Sequence, residues 1–396
     1  MGSIATPTWS CDRQPVKAAL QARQSGRKEQ TTMKAKKWIS LLSASALLVS
    51  LLSACGQGQS SNPSQSPADN NSAAPAIGDQ GPVDGPSITT NGGEAIALSA
   101  LEYQSDSAAS TVYYISDITP EAMVAVYEAL EWSPTGKVAA KLSTGEPPNS
   151  NYLRPELIKD VVQGVDGTIV ENNTAYGGSR AETAMHYQVA KDHGFNDIAD
   201  VVILDENGSM SLPVEGGSVL NENLVGSHFA DYDSYLVLSH FKGHAMAGFG
   251  GAIKNISIGL GSAEGKCLIH TGGKSHTSPW GGDQTAFTES MAEAGKSVSD
   301  YLGNGEHIVY INVMNRISID CDCDGNPHEP DIHDIGILAS TDPVALDQAC
   351  IDIVRNVQGN KSLLDRIQRQ NGIHTLEHAE EIGLGSRSYV LVDIGG

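Results

Sequence analysis

Positive charge is scarce in this 396-residue chain: 25 lysines and arginines stand against 47 aspartates and glutamates, a formal net charge of −22. Such a field repels nucleic acid and anionic lipid headgroups, which excludes both as partners, while it draws cations in. Phosphate-loop glycines are missing too, since no segment matches GxxxxGK[ST], so a nucleotide loop of that type is excluded. No internal repeat occurs. Cysteines number only six and never stand in a Cys-x-x-Cys run, which excludes a cluster motif of the ferredoxin type.

What is present begins with a leader. From Met33 the chain reads MKAKKWISLLSASALLVSLLSAC, with Lys34, Lys36 and Lys37 ahead of an apolar stretch from Trp38 to Leu52 and small residues before Cys55. The stretch is too short to span a bilayer and has the layout of a secretory signal. Its Leu52-Ser53-Ala54-Cys55 end resembles the bacterial lipobox, which implies lipidation of Cys55, a membrane lipid anchor and a location on the extracytoplasmic face. Residues 1–32 lie upstream of this signal and read as a non-native extension, with residues 33–54 as the signal peptide. Residues 55–95, rich in Ser, Asn, Pro and Gly, read as a flexible tether. Without Cys11 and Cys55, four cysteines remain, Cys267, Cys321, Cys323 and Cys350, too few and too irregular for a disulfide framework.

From residue 96 to 396, short β-branched runs alternate with amphipathic stretches. This is the pattern of an α/β domain with a largely parallel or mixed sheet flanked by helices. Strands are expected at Thr111–Ser116, Lys137–Leu142, Ile198–Leu204, Tyr235–Ser239, His307–Val313, Ile335–Ala339 and Tyr389–Val392. Helices are expected at Pro120–Leu130, Arg154–Val162, Arg180–His193, Thr285–Leu302, Pro343–Val357, Lys361–Gln370 and Thr375–Ile382. Thr119-Pro120 and Asp342-Pro343 each supply a capping side chain followed by a proline suited to the first helical position.

Three constellations carry chemistry. Arg154 and Arg180 each follow a turn and precede a helix, where a guanidinium and free backbone N–H groups suit a carboxylate or phosphate. They serve equally well to tie a loop to a carboxylate. The segment SHFKGHAMAGFGGAIKNISIGLGSAEGK, Ser239 to Lys266, follows an apolar strand and packs two histidines, three lysines and seven glycines. There His240 and His244 stand as metal ligands or bases, glycines allow close backbone approach, and Lys242, Lys254 and Asn255 offer cations and an amide to an anion. The loop that starts IDCDCDGNPHEPDIHD sets Cys321 and Cys323 one residue apart among carboxylates and His328 and His333. Two thiolates with nearby imidazoles suit a soft or borderline ion such as zinc or iron. Asp320-x-Asp322-x-Asp324-Gly325 copies the start of a calcium loop, but prolines and a missing Glu at the twelfth position argue against an EF-hand.

The segments YLRPELIKDVV, NNTAYGGSR with AKDHGF, SHFKGHAMAGFGGAIKNISIGLGSAEGK and CDCDGNPHEPDIHDIGILASTDPVALDQAC, in this order over residues 137–358, resemble the DUF362 family, also called Fe-S center proteins. Many members carry a ferredoxin-like cysteine insertion after the segment corresponding to Lys266–His270. This chain has no cysteine between Cys267 and Cys321, so no 4Fe-4S cluster is expected.

The leading expectation is an extracytoplasmic, lipid-anchored protein that binds a metal ion, a small anionic ligand, or both. Arg154, Arg180, Lys242, Lys254 and Asn255 would hold the anion, while Cys321, Cys323, His240 and His244 would hold the metal. Two alternatives stay open. One is a redox or metal-dependent hydrolytic enzyme with His240, His244 or Lys254 as catalytic groups; the other is a non-catalytic solute-binding envelope lipoprotein.

Overall fold

The structure is a computed structural model that describes residues 85–395. The expected signal peptide, the expected lipidation site Cys55, the expected upstream extension and the expected tether as far as residue 84 lie outside the described residues. Among the described residues, no helix is long and apolar enough to cross a membrane.

The strands run in chain order β1 (Ser87–Thr89), β2 (Ala95–Ala97), β3 (Ser110–Ile115), β4 (Val138–Lys141), β5 (Thr168–Glu171), β6 (Val201–Ile203), β7 (Ser209–Pro213), β8 (Glu222–Gly226), β9 (Ser234–His240), β10 (Lys242–His244), β11 (Gly248–Gly250), β12 (Ile308–Met314), β13 (Gly336–Ser340) and β14 (Tyr389–Asp393). The helices are α1 (Pro120–Ala129), α2 (Pro155–Gly164), α3 (Thr183–Asp192), α4 (Ala252–Ile256), α5 (Ala263–His270), α6 (Gln284–Tyr301), α7 (Pro343–Arg355), α8 (Lys361–Arg369) and α9 (His374–Glu381). Eight strands form one sheet in the order β14-β3-β13-β12-β9-β4-β5-β6, and three two-stranded ladders, β1-β2, β7-β8 and β10-β11, stand apart. Within the large sheet only β13 runs antiparallel to its neighbours; the other pairings are parallel. The α/β expectation holds, with a mixed sheet.

Strand alternation decides which layer each residue joins. Leu236 and Leu238 of β9, with Val309, Ile311 and Val313 of β12, meet Met123 and Val126 of α1 and Ile158 and Val161 of α2. Tyr235 and Val237 of β9, with Ile308 and Tyr310 of β12, instead face Ile253 of α4, Val298 of α6 and Val344 and Ile351 of α7. The central strands are therefore buried on both faces, as their unbroken apolar runs imply.

The caps behave as the sequence suggests. The Thr119 hydroxyl accepts from the Ala122 N–H at 3.1 Å, and the Asp342 carboxylate accepts from Val344 and Ala345 at 2.8 and 3.1 Å. Cys350 is fully buried within the core under α7.

Two expectations about boundaries change. Residues 85–95 are not tether: β1 pairs with β2, and Ile88 and Ile96 are both buried. Polar composition hid two isoleucines whose spacing across a tight turn lets both point inward. Strand β5 and helices α4 and α5 are absent from the sequence reading. The first spans four residues, and the two helices are short and lie among glycines, where periodicity has no room to show.

Candidate functional site

The site follows from the strand order. From β4 the chain adds β5 and β6 on one side, then returns to place β9 on the other side of β4 and β12 beyond it. Neighbouring loops therefore diverge at the carboxyl ends of β4 and β9, the switch point where open α/β sheets form a crevice. Lys141 ends β4, Glu171 ends β5 and His240 ends β9, and all three line one cavity of about 60 Å³.

Five basic side chains enter this cavity: Lys141, Arg180, Lys242 and Lys266, each almost fully buried, and Lys254, which is partly buried. Two are paired with carboxylates. Arg180 reaches Glu171 at 2.7 Å and Glu146 at 3.3 Å, and Lys242 Nζ lies 2.9 Å from an Asp322 oxygen. Burial pushes the Glu171 carboxyl up, but Arg180 and His186 outweigh it and hold Glu171 well below the usual range. Asp322 follows the same pattern: burial works against its charge, and His240 with Lys242 holds it below the usual range all the same.

The other three lysines make no ion pair with a described carboxylate. Lys141 Nζ donates to the Leu142 carbonyl at 2.6 Å and to Asn255 Oδ1 at 3.1 Å. Burial, only partly offset by Glu171, brings Lys141 down to about 7, with Lys266, Lys254 and Arg180 adding repulsion. Lys266 donates to the Gly261 carbonyl at 2.6 Å and is brought down to about 8, again by burial first. Lys254 lies 3.5 Å from Cys321 Sγ. Burial disfavours its charge, yet the neighbouring Cys321 and Cys323 sulfurs outweigh that and raise it above the ordinary lysine range.

Cys321 and Cys323 form one wall. The Cys323 thiol donates to Cys321 Sγ at 2.8 Å, and the Cys323 backbone N–H lies 3.5 Å from the same sulfur. With Cys323 and then Lys254 and His244 turned toward it, Cys321 is held well below the ordinary thiol range and carries the thiolate, while Cys323 keeps its proton. His244 accepts at Nδ1 from the backbone N–H groups of Ala247 and Met246, at 2.9 and 3.2 Å. Its other ring nitrogen is left for the sulfurs. Burial, with Lys254 next, lowers His244 below the usual histidine value.

His244, Cys321 and Cys323 offer donor atoms that all lie within 4.8 Å of one another, the one such His/Cys/Asp/Glu group among the described residues. Donor type and spacing fit a soft or borderline ion. Metal–sulfur bonds of about 2.3 Å at a tetrahedral angle set two sulfurs roughly 3.8 Å apart, so a bound ion would displace the Cys323 proton and spread the pair by about 1 Å.

His240 does not join this group, which corrects its assignment as a metal ligand. Its Nδ1 donates to Asp322 at 2.8 Å and its Nε2 to the Asn315 carbonyl at 2.6 Å, so no ring lone pair is free for a metal. Arg154 is the second correction. It caps α2 outside the cavity and turns back on its own loop, donating to Tyr152 Oη at 2.9 Å and the Ser150 carbonyl at 2.7 Å. Asn255 lines the cavity, but its amide is fully used, donating to Leu238 O and Ser239 Oγ, each at 3.0 Å, and accepting from Lys141. It sets the end of β9 against Lys141 and offers no spare polar atom to a ligand.

The acidic loop disperses. Asp320 pairs with His328 and Arg366, Asp331 accepts from Ser362, and His333 bonds Thr90, so only Cys321, Asp322 and Cys323 reach the cavity. No calcium loop forms there.

The reading from sequence passed over Lys141 and Glu171, and also Tyr176, whose hydroxyl donates to His270 Nε2 at 3.2 Å across the rim. One lysine interrupting the apolar run Val138–Leu142 was the available signal.

With the geometry in place, comparison with known proteins can be stated. The profile of a domain of unknown function, DUF362, matches residues 138–352. The chain belongs to the DUF362 family. The match encloses every cavity residue named above, so the crevice is built from the family domain itself. No curated protein matches. Among solved structures, the chain is similar to the lactate racemase apoprotein of Thermoanaerobacterium thermosaccharolyticum at 14% identity with a TM-score of 0.37. The alignment covers 68% of this chain and 62% of that one, a likeness too distant to carry an activity across.

Proposed function

We propose that the crevice at the carboxyl ends of β4, β5 and β9 binds a small oxyanion-bearing molecule, of carboxylate or phosphate type. One observation carries this reading. Lys141, Lys254 and Lys266 surround one small cavity with no described carboxylate in ion-pair range, in a chain whose charge is otherwise strongly negative. Buried charge is stable only when paired; Lys254 faces the Cys321 sulfur, but Lys141 and Lys266 meet only carbonyl and amide oxygens, and such groups are the counterpart of a missing anion. The strongly acidic exterior gives no long-range attraction to such a ligand, so selectivity rests on the short-range fit of the cavity.

A second reading concerns the wall opposite Lys141 and is favoured by the His244, Cys321 and Cys323 grouping. These three side chains would hold zinc or iron. An ion there would supply a Lewis-acidic contact to a bound oxyanion, while Lys254 and Lys266 neutralise its charge. The leader from Met33 to Cys55 is read as a lipoprotein signal, which puts this site on the extracytoplasmic face of the membrane; radiolabelled palmitate incorporation lost in Cys55→Ala tests that point.

The anion reading is tested by thermal unfolding of the full-length chain with increasing phosphate or oxalate. Wild type is expected to gain about 2.7 kcal/mol at one hundred times Kd, and Lys266→Met to lose most of that gain. Absence of any shift at tens of millimolar of either anion contradicts it. For the metal, elemental analysis is expected to show stoichiometric zinc or iron that disappears in a Cys321→Ser, Cys323→Ser variant.

A further inference from the structure

Lys141 is set apart from the other cavity lysines by its bonding. A neutral amine has two N–H bonds and one lone pair, and Lys141 Nζ meets two acceptors, the Leu142 carbonyl and Asn255 Oδ1. Both N–H bonds are thereby used and the lone pair is not. The group is 1% exposed and lines the cavity from the end of a strand, the most rigid position available. Asn255, which fixes it, is itself clamped to the neighbouring strand through Leu238 and Ser239. Around it stand Arg180, Lys254 and Lys266, which disfavour a further positive charge, and Glu171, which partly offsets them.

We propose that Lys141 is a covalent carbonyl-binding residue whose Nζ condenses with the carbonyl carbon of a small 2-oxo acid held in this crevice. The inference rests on the anion reading above and names the ligand class: a carboxylate for Lys254 and Lys266, and an adjacent aldehyde or ketone for Lys141. In the step, the Nζ lone pair forms the C–N bond and the carbonyl C–O bond breaks. The two amine hydrogens leave with the carbonyl oxygen as water, giving a neutral imine. No oxidant or reductant is consumed. The cavity of about 60 Å³ suits a small ligand such as glyoxylate or pyruvate.

The physical basis is that an imine needs the free amine, and at neutral pH an exposed lysine is almost wholly ammonium. A group brought down to about 7 is about half free amine there.

The test uses the full-length chain with glyoxylate or pyruvate and sodium cyanoborohydride at pH 7, followed by peptide mass spectrometry. The expected result is one reduced-imine adduct on Lys141, formed at least about tenfold faster than on the exposed Lys361, and slowed by oxalate as competitor. Lys141→Met, checked by circular dichroism for an unchanged fold, should lose the fast adduct. The Lys141 rate should also level off above about pH 7 to 8, whereas labelling of Lys361 keeps rising toward pH 10. Fast labelling at Lys266 in place of Lys141, or equal rates at Lys141 and Lys361, overturns the proposal. If oxalate stabilises the protein but no fast adduct forms, the covalent role fails and the anion site stands. If neither occurs, both fail.

Discussion

Two buried polar clusters in this protein have opposite bookkeeping. In the first, the Glu293 carboxylate of α6, fully buried, accepts from the Ser218 N–H and hydroxyl, the Val219 N–H and the Leu220 N–H, at 2.6 to 3.1 Å, with His378 Nε2 at 3.3 Å. Every oxygen has partners, and the result is a loop tied to a helix. In the second, the crevice beside Lys141, three lysines have no described carboxylate in ion-pair range, and a thiolate is shared by Lys254, His244 and Cys323. A satisfied cluster holds a fold together, while one with charge left over is shaped for something it does not itself contain.

That contrast can be broken by substitution. The largest effect belongs to Glu293→Ala, which strands three backbone N–H groups in the interior. Loss of about 3 to 5 kcal/mol of stability is expected from urea unfolding, with anion affinity unchanged in the folded fraction. Arg180→Met should cost a similar or somewhat smaller amount, about 3 kcal/mol, because it leaves Glu146 without its cation and Glu171 with His186 alone.

Lys141→Met must behave differently if the contrast is real. Burying a poorly paired cation costs stability, so in anion-free buffer at pH 7 the variant should match or exceed wild-type stability. A loss as large as that of Arg180→Met would show that Lys141 is as firmly paired as Arg180. The pH dependence sharpens the point. Lys141 sits at about 7 when folded against 10.5 for an ordinary lysine, so between those values the unfolded chain binds the extra proton. Stability attributable to Lys141 therefore rises with pH across that window, with the full penalty present below about 7. Wild type minus Lys141→Met should show a slope approaching about 1.4 kcal/mol per pH unit between pH 7.5 and 9.5. Anion addition should flatten it. The smallest effect is expected for Arg154→Ala, whose contacts stay within its own half-exposed loop: no change in anion affinity by calorimetry and about 0.5 kcal/mol or less in stability.

The same contrast explains what the sequence could and could not reveal. Strand and helix order were legible because the central strands are continuous apolar runs and the main helices start at Thr119-Pro120 and Asp342-Pro343. The glycine- and lysine-rich segment from Ser239 was legible as a site because nothing in a core needs that composition. Which donors converge was not. Cys321 and Cys323 group with His244, while Asp322 between them captures His240 and Lys242, so the i, i+4 histidines part company. Arg154 looked like a ligand because it precedes a helix, but its guanidinium folds back on Tyr152, with the cation over the ring at 4.6 Å. Lys141 and Glu171 were hidden because each ends a four-residue strand, and only the strand order that sets β4 between β5 and β9 gives their positions meaning.

The most direct measurement is isothermal titration of the full-length chain with oxalate at pH 7 and again at pH 9.5. The account predicts one site per chain that weakens at the higher pH, as Lys266 and what remains of the charge on Lys141 are lost. No binding at either pH, or equal affinity at both, would contradict the claim that the unpaired lysines of this crevice are there to hold an anion.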